Sequence, residues 1–455
     1  MNSSLINDVR TRTGHARFED LHASPIGSLK NLDAQYVTAL QGCMHNLLAR
    51  TSLALDRIEC EIEPPGVSDQ PDKELRISLV SSVIRGPRKR DKTGIDAMMA
   101  DYGRLHQDVE LRRAGEDLKI LHYTEGFVAS EERNNEWIED RKAELREALK
   151  SKPHVICFPE FAVPMPLPSS DMLGYTDPSD YGRQFKEFCD MCAAAMKPPA
   201  KTRNQSLHYP FVFMGSFHCP QQHFNTGVIF PTGGHVEATN VRITRQKIDD
   251  EPVQEIKPMP FPVLHRKFFP ARRAGETARV PSGMEFLTYK VGGLHIGVLI
   301  CSDILDLNQF LNMARLGSLR VDRYPLDLIL VPAYNLSLKL STMCRELSLL
   351  ASTSVAFVNA NPCFEEFPSS KFFVCGFDID ELGKEMIDGS PIILEAPSAV
   401  PIECVRKGCS SELLTLRLDR ANLKQLQNMF RGKAYEFFQD NRIQTVFSSD
   451  ENGNP

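Results

Sequence analysis

An amphipathic helix that leads directly into a short apolar strand constrains this fold more than any other feature. Within Asn135–Lys150, apolar residues such as Leu145 and Leu149 recur on one helical face. The strand His154–Phe158 follows after three residues, and an earlier apolar strand spans Leu75–Ile84. Strand, helix and strand in this order form a β-α-β unit. The sequence therefore predicts an α/β fold that contains parallel strands.

The composition is that of an ordinary globular protein. Of its 455 residues, 42% are hydrophobic and 25% are charged. The net charge of −6 gives no general attraction to nucleic acid or to anionic membranes. No apolar run is long enough to span a bilayer, the N-terminus is polar, and twelve cysteines lack the spacing of a small disulfide-rich domain. We therefore expect a cytoplasmic protein with no nucleic-acid or membrane partner.

The sequence divides into three predicted segments. Residues 1–73 form an N-terminal extension that we expect to be largely helical, because apolar residues recur at helical spacing from Asp33 to about Ile58. A proline-containing linker, Glu63–Asp72, separates this extension from the main domain. The main domain is predicted to cover residues 74–430, and residues 431–455 form a C-terminal tail.

One buried strand is predicted to end at a cysteine. The apolar run Gly297–Ile300 precedes Cys301, and the polar residues Ser302 and Asp303 follow at once. Sites in open α/β sheets form at the carboxyl ends of strands, although free cysteines are also common in protein cores. A cysteine nucleophile needs a base. His295 cannot serve, because six residues of strand separate it from Cys301 by about 20 Å.

A glutamate at the end of another buried strand is the better candidate for the base. Glu160 follows Pro159 directly after the strand that ends at Phe158, although a glutamate in a loop is more often simply exposed. A lysine beside such a pair would stabilise an oxyanion and favour the thiolate. Two lysines, Lys247 and Lys267, are candidates, and each could equally be a solvated surface charge.

The motifs around these residues resemble those of the nitrilase, or carbon–nitrogen hydrolase, superfamily. Phe158-Pro159-Glu160, a lysine in the middle third and Leu299–Asp303 are similar to its Glu-Lys-Cys motifs, in family order. The similarity extends to Met214–Ser216, Asn225–Ile229, Val331–Asn335, Arg345-Glu346 and Val358–Asn361. Together these motifs cover about residues 75 to 430.

This resemblance implies a fold and a set of catalytic roles. The fold would be a four-layer α-β-β-α sandwich of the nitrilase type, here with an N-terminal helical extension, and its helical faces would pair into a homodimer or larger homo-oligomer. Cys301 would be the nucleophile, Glu160 the general base and acid, and the lysine the oxyanion donor. The reaction would need no cofactor and no metal.

The resemblance also favours one lysine and adds further site residues. Lys267 lies nine residues before Glu276 and 34 residues before Cys301, both usual family spacings, whereas Lys247 would leave Glu276 far from the lysine that it supports. We therefore expect Lys267 to complete the triad, with Lys247 as the alternative and Glu276 in a supporting role. The loop that contains Tyr334 and Asn335 corresponds to the substrate-binding side.

These motifs predict an amidase-like hydrolase. Its substrate would be a small molecule with a non-peptide carbon–nitrogen bond, an amide or carbamoyl group rather than a nitrile, because Ser302-Asp303 replaces the Trp-Glu common in nitrile hydrolases. One alternative is a glutaminase or acyl-transfer subunit that works with a separate partner. Another is a nitrilase-like scaffold with a non-catalytic interaction role.

Overall fold

The computed structural model describes a large part of the chain with gaps between segments. The described residues are 57–62, 73–84, 131–163, 178–196, 210–219, 224–231, 240–246, 253–258, 262–269, 286–305, 326–335, 338–361, 369–382, 386–387, 390–405 and 410–440. Within these ranges, no helix has the length and apolar content needed to cross a membrane.

The described segments contain 18 strands and five α-helices. The strands are β1 (Arg57–Ile62), β2 (Glu74–Ser81), β3 (Val155–Cys157), β4 (Phe211–Cys219), β5 (Phe224–Phe230), β6 (Asn240–Gln246), β7 (Val253–Pro258), β8 (Val263–Arg266), β9 (Phe286–Val291), β10 (Leu294–Val298), β11 (Leu328–Ala333), β12 (Ser354–Asn359), β13 (Lys371–Val374), β14 (Phe377–Asp378), β15 (Met386–Ile387), β16 (Ser390–Pro391), β17 (Ile393–Glu403) and β18 (Ser410–Asp419). The helices are α1 (Glu131–Lys150), α2 (Pro178–Met196), α3 (Leu338–Leu350), α4 (Ile379–Leu382) and α5 (Arg420–Asp440).

Two large sheets form the centre of the described structure. One has the strand order β14-β13-β12-β11-β10-β9-β1-β6-β7, and the other has the order β17-β18-β2-β3-β4-β5-β8. Parallel pairs occur in both, between β2, β3 and β4 in the second sheet and between β10, β11 and β12 in the first. The predicted β-α-β unit is therefore β2-α1-β3.

Two hydrophobic clusters give the order of the layers. The first joins Leu75 and Ile77 of β2 to the nine-stranded sheet and to helices α3 and α5. The second joins Val80 of the same strand to α1 and α2, through residues such as Trp137 and Phe188. Because alternate strand residues face opposite sides of a sheet, the seven-stranded sheet lies between the other sheet and α1 and α2. The α-β-β-α sandwich predicted from the sequence is confirmed for the described residues.

The structure corrects the predicted end of the N-terminal helix. Ile58 lies in β1, which pairs antiparallel with β6 and parallel with β9, and not in a helix. The sequence Arg57–Ile62 alternates apolar and charged residues, which is the period of a strand. Residues 1–56, and with them the rest of the predicted extension, lie outside the described residues. At the other end, α5 continues to Asp440, past the predicted start of the tail at 431.

β5 and β8 both lie in the seven-stranded sheet, whereas β6 and β7, which come between them in the chain, lie in the nine-stranded sheet. The alternating sequence His235–Ile248 predicts a strand. The structure has β6 within this range, and it pairs with β1 and β7 in the nine-stranded sheet. β5 pairs directly with β8, where Thr226 lies opposite Arg266. The residues between them therefore form an insertion in a hairpin, and the residue after β8, Lys267, lies beside the start of β5.

Candidate active site

Polar side chains follow the ends of strands from both sheets. Glu160 follows β3, Lys267 follows β8, Cys301 follows β10 and Tyr334 follows β11. Because β3, β10 and β11 lie in parallel parts of the sheets, their carboxyl ends form an edge at which sites are commonly built. Each sheet therefore contributes residues to one candidate site.

The turn that carries Glu160 is held tightly against β4. The amide of Phe158 donates to the carbonyl of Phe213 at 2.8 Å, and the amide of Phe161 donates to the hydroxyl oxygen of Ser216 at 3.2 Å. Phe161 has a φ of 59°, in the left-handed region that non-glycine residues seldom adopt. The backbone on both sides of Glu160 is therefore fixed by neighbouring strand residues.

Gly215 makes this close packing possible. Its φ is +100°, and a Cβ atom placed on it would lie 2.5 Å from the Cβ of Ala162 and 2.6 Å from the carbonyl oxygen of Pro159. Real Cβ atoms do not approach other atoms so closely, and L-residues rarely adopt this φ. Any side chain at position 215 would therefore push the turn, and Glu160 with it, away from β4.

Glu160 and Lys267 form a buried ion pair. The Lys267 Nζ donates to Oε1 of Glu160 at 2.6 Å, and the two side chains are only 1% and 2% exposed. Oε1 also accepts from Nδ2 of Asn225 at 2.8 Å, and Oε2 accepts from the amide of Tyr334 at 3.2 Å. Burying two charges costs free energy, so a pair retained at a strand-end site indicates chemistry more than stability.

Asn225 holds both members of this pair. Its side-chain amide donates to Glu160, while its backbone carbonyl oxygen accepts from the backbone amide of Lys267 at 2.8 Å. The asparagine is fully buried on β5. One residue thus fixes the Glu160 carboxylate and the Lys267 backbone relative to each other.

Cys301 begins a tight turn in a strained conformation. It is the first residue of a 3-10 helix, Cys301–Leu305, has a φ of 48° and is 5% exposed. A non-glycine residue in this region costs on the order of 1–3 kcal/mol and persists where the surroundings hold it in place. Sharp strand-to-helix turns of this kind present the nucleophile in α/β-hydrolases. The hydroxyl of the next residue, Ser302, donates to the carbonyl of Phe269, two residues after Lys267.

The loop after β11 is anchored by an asparagine of the neighbouring strand. The amide of Asn335 donates to Oδ1 of Asn359 at 2.9 Å, and Nδ2 of Asn359 donates back to the carbonyl of Asn335 at 2.9 Å. The ring of Tyr334 packs edge-on against Phe161, with ring centroids 6.3 Å apart. Of the two residues predicted to bind substrate, Tyr334 contacts Glu160 through its backbone amide.

A buried histidine lies close to this site but is not a candidate base. Burial lowers the pKa of His265 to about 4, so its ring is neutral at pH 7. Its Nδ1 is hydrogen-bonded to the hydroxyl of Tyr289 at 3.1 Å, across the interface between the two sheets. His295 lies on β10 and its amide donates to Asp327, at the end of the strand away from Cys301.

The structure brings some of the predicted residues together and leaves others outside its described parts. Glu160 and Lys267 are in contact, and the turn of Cys301 is bonded to the segment after Lys267. Lys247 and Glu276 lie outside the described residues. No group of three or more His, Cys, Asp or Glu side chains that could hold a metal ion occurs in the described ranges.

Two residues that hydrogen-bond within this site, Asn225 and Asp303, are not among the site residues predicted from the sequence. Asn225 lies inside a motif that resembles the family, but no spacing rule links its side chain to Glu160. Asp303 accepts hydrogen bonds from the segment that follows Lys267. A polar residue within a buried apolar strand, as at Asn225, was the signal available in the sequence.

Comparison with known proteins gave structural matches only. No family model matches the sequence, and no curated protein does. Nit3 from Saccharomyces cerevisiae, a member of branch 10 of the nitrilase superfamily, is 12% identical, with 85% of this chain and 100% of that chain covered and a TM-score of 0.40. A mutant amidase from Nesterenkonia sp. AN1, in complex with butyramide, is 13% identical over 80% of this chain and 95% of that chain, with a TM-score of 0.40.

A third structural neighbour is also similar over most of its length. A CN-hydrolase superfamily protein from Xanthomonas campestris, with an arsenic adduct in its active site, is 14% identical over 79% of this chain and 96% of that chain, with a TM-score of 0.35. These neighbours are nitrilase-superfamily proteins, the family that the sequence motifs resemble. Because the TM-scores are below 0.5, the assignment of the site rests on the geometry of this chain alone.

Proposed function

We propose that this protein hydrolyses a non-peptide carbon–nitrogen bond, in an amide or carbamoyl compound, through an acyl-enzyme on Cys301. The observation that carries the proposal is the buried ion pair between Glu160 and Lys267. The segment that follows Lys267 is hydrogen-bonded to the turn of Cys301, through Phe269 and Ser302. A nucleophile, a proton acceptor and a cation are the groups that acyl transfer requires.

In the proposed acylation step, Glu160 takes the proton of the Cys301 thiol as the sulfur attacks the carbonyl carbon. The C–S bond forms while the carbonyl oxygen gains negative charge. The Lys267 ammonium has three donor hydrogens, so it can bond Glu160 and this oxyanion at the same time. When the tetrahedral intermediate collapses, Glu160 gives its proton to the leaving nitrogen, and ammonia or an amine departs.

In the proposed deacylation step, Glu160 removes a proton from water, which attacks the thioester. Lys267 again holds the oxyanion, and the Cys301 thiolate leaves and recovers the proton from Glu160. By the family resemblance, Glu276 positions this water and the lysine, which remains a proposal. The amide of Tyr334 and the side chain of Asn225 keep Glu160 in place between the two steps.

The proposal predicts ammonia release from a small amide or carbamoyl compound. The test is a panel of aliphatic amides, carbamoyl amino acids and nitriles, with ammonia measured by a coupled assay. Protein that carries Cys301→Ala, purified in the same way, controls for contaminating amidases. We expect amides or carbamoyl compounds to exceed nitriles. No release above this control, across the whole panel, would contradict the assignment as a hydrolase.

The choice of lysine leads to a second prediction. Lys267→Met is expected to slow acylation by roughly 10² or more, because the oxyanion loses its donor and Glu160 loses the cation beside it. Lys247→Met serves as the matched control and should change the rate far less. Burst kinetics with a chromogenic amide would compare the two variants. A larger loss in Lys247→Met would transfer the oxyanion role to Lys247.

Other expectations from the sequence remain proposals. We propose a cytoplasmic location, and a homodimer or larger homo-oligomer as the assembly. The acyl-transfer alternative shares the Cys301 intermediate with hydrolysis and differs in the acceptor, a second substrate instead of water. The scaffold alternative requires no reactive thiol, which makes labelling of Cys301 a direct way to separate it from the other two.

A further inference from the structure

We propose that Asp303 is a positioning residue that fastens the turn of the Cys301 nucleophile to the segment carrying Lys267. This inference rests on the proposed function and extends it to a residue outside the Glu-Lys-Cys triad. Asp303 is fully buried, two residues after Cys301. Its Oδ1 accepts from the amides of Phe268, at 2.9 Å, and Phe269, at 2.6 Å.

The other carboxylate oxygen holds the turn itself. Oδ2 of Asp303 accepts from the amide of Ile300 at 2.9 Å, while the amide of Asp303 donates to the carbonyl of Ile300 at 3.0 Å. These two bonds enclose Cys301 and Ser302, the two residues between Ile300 and Asp303. A carboxylate that only capped the turn would need no partner elsewhere, yet its second oxygen binds two amides next to Lys267.

The hydrogen bonds that Asp303 accepts link the two sheets. Phe268 follows β8 of the seven-stranded sheet, whereas Ile300 follows β10 of the nine-stranded sheet. The hydroxyl of Ser302 donates to the carbonyl of Phe269, so the two segments are bonded in both directions. Two other hydrogen bonds described above also cross between the sheets, one between His265 and Tyr289 and one from Tyr334 to Glu160, but neither involves the turn of Cys301.

The chemistry is sensitive to such positioning. Cys301 holds a φ of 48°, which its neighbours must maintain. The thiol must reach the substrate carbonyl while Lys267 meets the resulting oxyanion. A displacement of about 1 Å in a catalytic arrangement can cost on the order of 10² in rate. Asp303 therefore affects catalysis through Cys301 and Lys267, without touching the substrate.

The charge of Asp303 agrees with this role. Burial raises the pKa of its carboxyl to about 7, opposed first by the nearby Lys267 ammonium and then by the three amide hydrogen bonds. Among the described residues, Glu160 is a second carboxylate near Lys267, with which it forms an ion pair. A neutral carboxyl accepts hydrogen bonds less strongly than a carboxylate. The hydrogen bonds that Asp303 accepts should therefore weaken as the pH falls below about 7.

The test compares Asp303→Asn with Asp327→Asn. Asp327 is a matched control, because it also accepts from a backbone amide, that of His295 at 2.9 Å, at the far end of β10. We expect Asp303→Asn to lower kcat by roughly 10² with little change in KM, because the carboxamide nitrogen cannot accept one of the amide bonds. Asp327→Asn should keep kcat near the wild-type value.

Two further measurements keep the test decisive. Alkylation of Cys301 by iodoacetamide, followed by peptide mass spectrometry between pH 5.5 and 9, should be slower in Asp303→Asn and should lose an inflection near pH 7. It needs no substrate, so it tests Asp303 even if the hydrolase proposal fails. Should Asp303→Asn not fold, Ser302→Ala removes the reverse bond and is expected to lower kcat and the alkylation rate in the same direction.

Two results would overturn the inference. One is a folded Asp303→Asn variant, or Ser302→Ala in its place, with wild-type kcat and wild-type alkylation rates. The other is an equal loss of kcat in Asp327→Asn, which would indicate a general effect on the strands. A kcat loss confined to the Asp303 and Ser302 variants, together with slower alkylation, would support the positioning role.

Discussion

Replacing Cys301 with alanine is expected to abolish turnover, with a loss on the order of 10³ or more, while the protein remains folded. The reason is that no other group in the proposed mechanism can form the acyl-enzyme. Cys301→Ser keeps the volume of the side chain but supplies a much weaker nucleophile, so it should be nearly as inactive. Activity is measured as ammonia release, and folding by circular dichroism and thermal unfolding.

A second buried cysteine provides the control for this substitution. Cys344 is fully buried in α3, where burial raises the pKa of its thiol well above the usual value. Cys344→Ala should therefore leave kcat close to wild type, at some cost in thermal stability from the cavity that it creates. Wild-type turnover in either Cys301 variant would rule out the covalent mechanism.

Selective labelling would support the same assignment without a substrate. Burial raises the pKa of the Cys189 and Cys375 thiols to about 12, and the pKa of Cys157 and Cys192 is also raised. These four thiols are therefore poorly reactive near neutral pH. We expect iodoacetamide to modify Cys301 well before them. Labelling of the four at the same rate as Cys301 would favour the scaffold alternative.

Local sequence patterns were sufficient for many of the strands that carry the site. Val155–Cys157 lies within the predicted strand His154–Phe158. The apolar runs Asp327–Val331 and Val355–Asn359 likewise predict strands, and the structure has them at Leu328–Ala333 and Ser354–Asn359. Their residues are buried throughout, as expected for strands covered on both faces. Since polar residues follow these runs, the sequence also indicates where the site would form.

Pairing between distant strands could not be read from the sequence. Asn240–Gln246 has the alternation of a strand, but nothing in that alternation indicates that it joins Arg57–Ile62 in the other sheet. The choice of sheet depends on packing across many residues of separation, which local periodicity does not encode. The same packing explains why Ile58 lies in a strand although an apolar period continues into it from the helical pattern.

The fine geometry of the site also lay beyond the sequence. Cys301 and Phe161 both have positive φ values, which a sequence would signal only through glycine. The backbone amide of Tyr334 is a donor to Glu160 because of where β11 ends, and any residue at that position except proline could supply it. Likewise, Asp303 reaches Phe268 only because the two sheets pack together.

Glu160→Gln is expected to leave an acyl group trapped on Cys301. Without a carboxylate, water lacks its base in deacylation, and loss of a general base costs roughly 10²–10⁴ in rate. Glutamine keeps the volume of the side chain and can still accept from Asn225 and Lys267 through its single carbonyl oxygen, although it loses the bond from the Tyr334 amide. The buried site should therefore stay assembled while the proton transfer fails.

Intact-mass spectrometry with an activated, slowly hydrolysed amide or ester would detect this adduct. The thiolate must still form in the variant, and an activated leaving group helps because it needs no proton from Glu160. The double variant Glu160→Gln with Cys301→Ala should show no added mass, which places the acyl group on the sulfur. Hydroxylamine should remove the adduct, because it attacks a thioester without a base. Wild-type turnover by Glu160→Gln would exclude Glu160 as the base, since no amide side chain can take the proton at neutral pH.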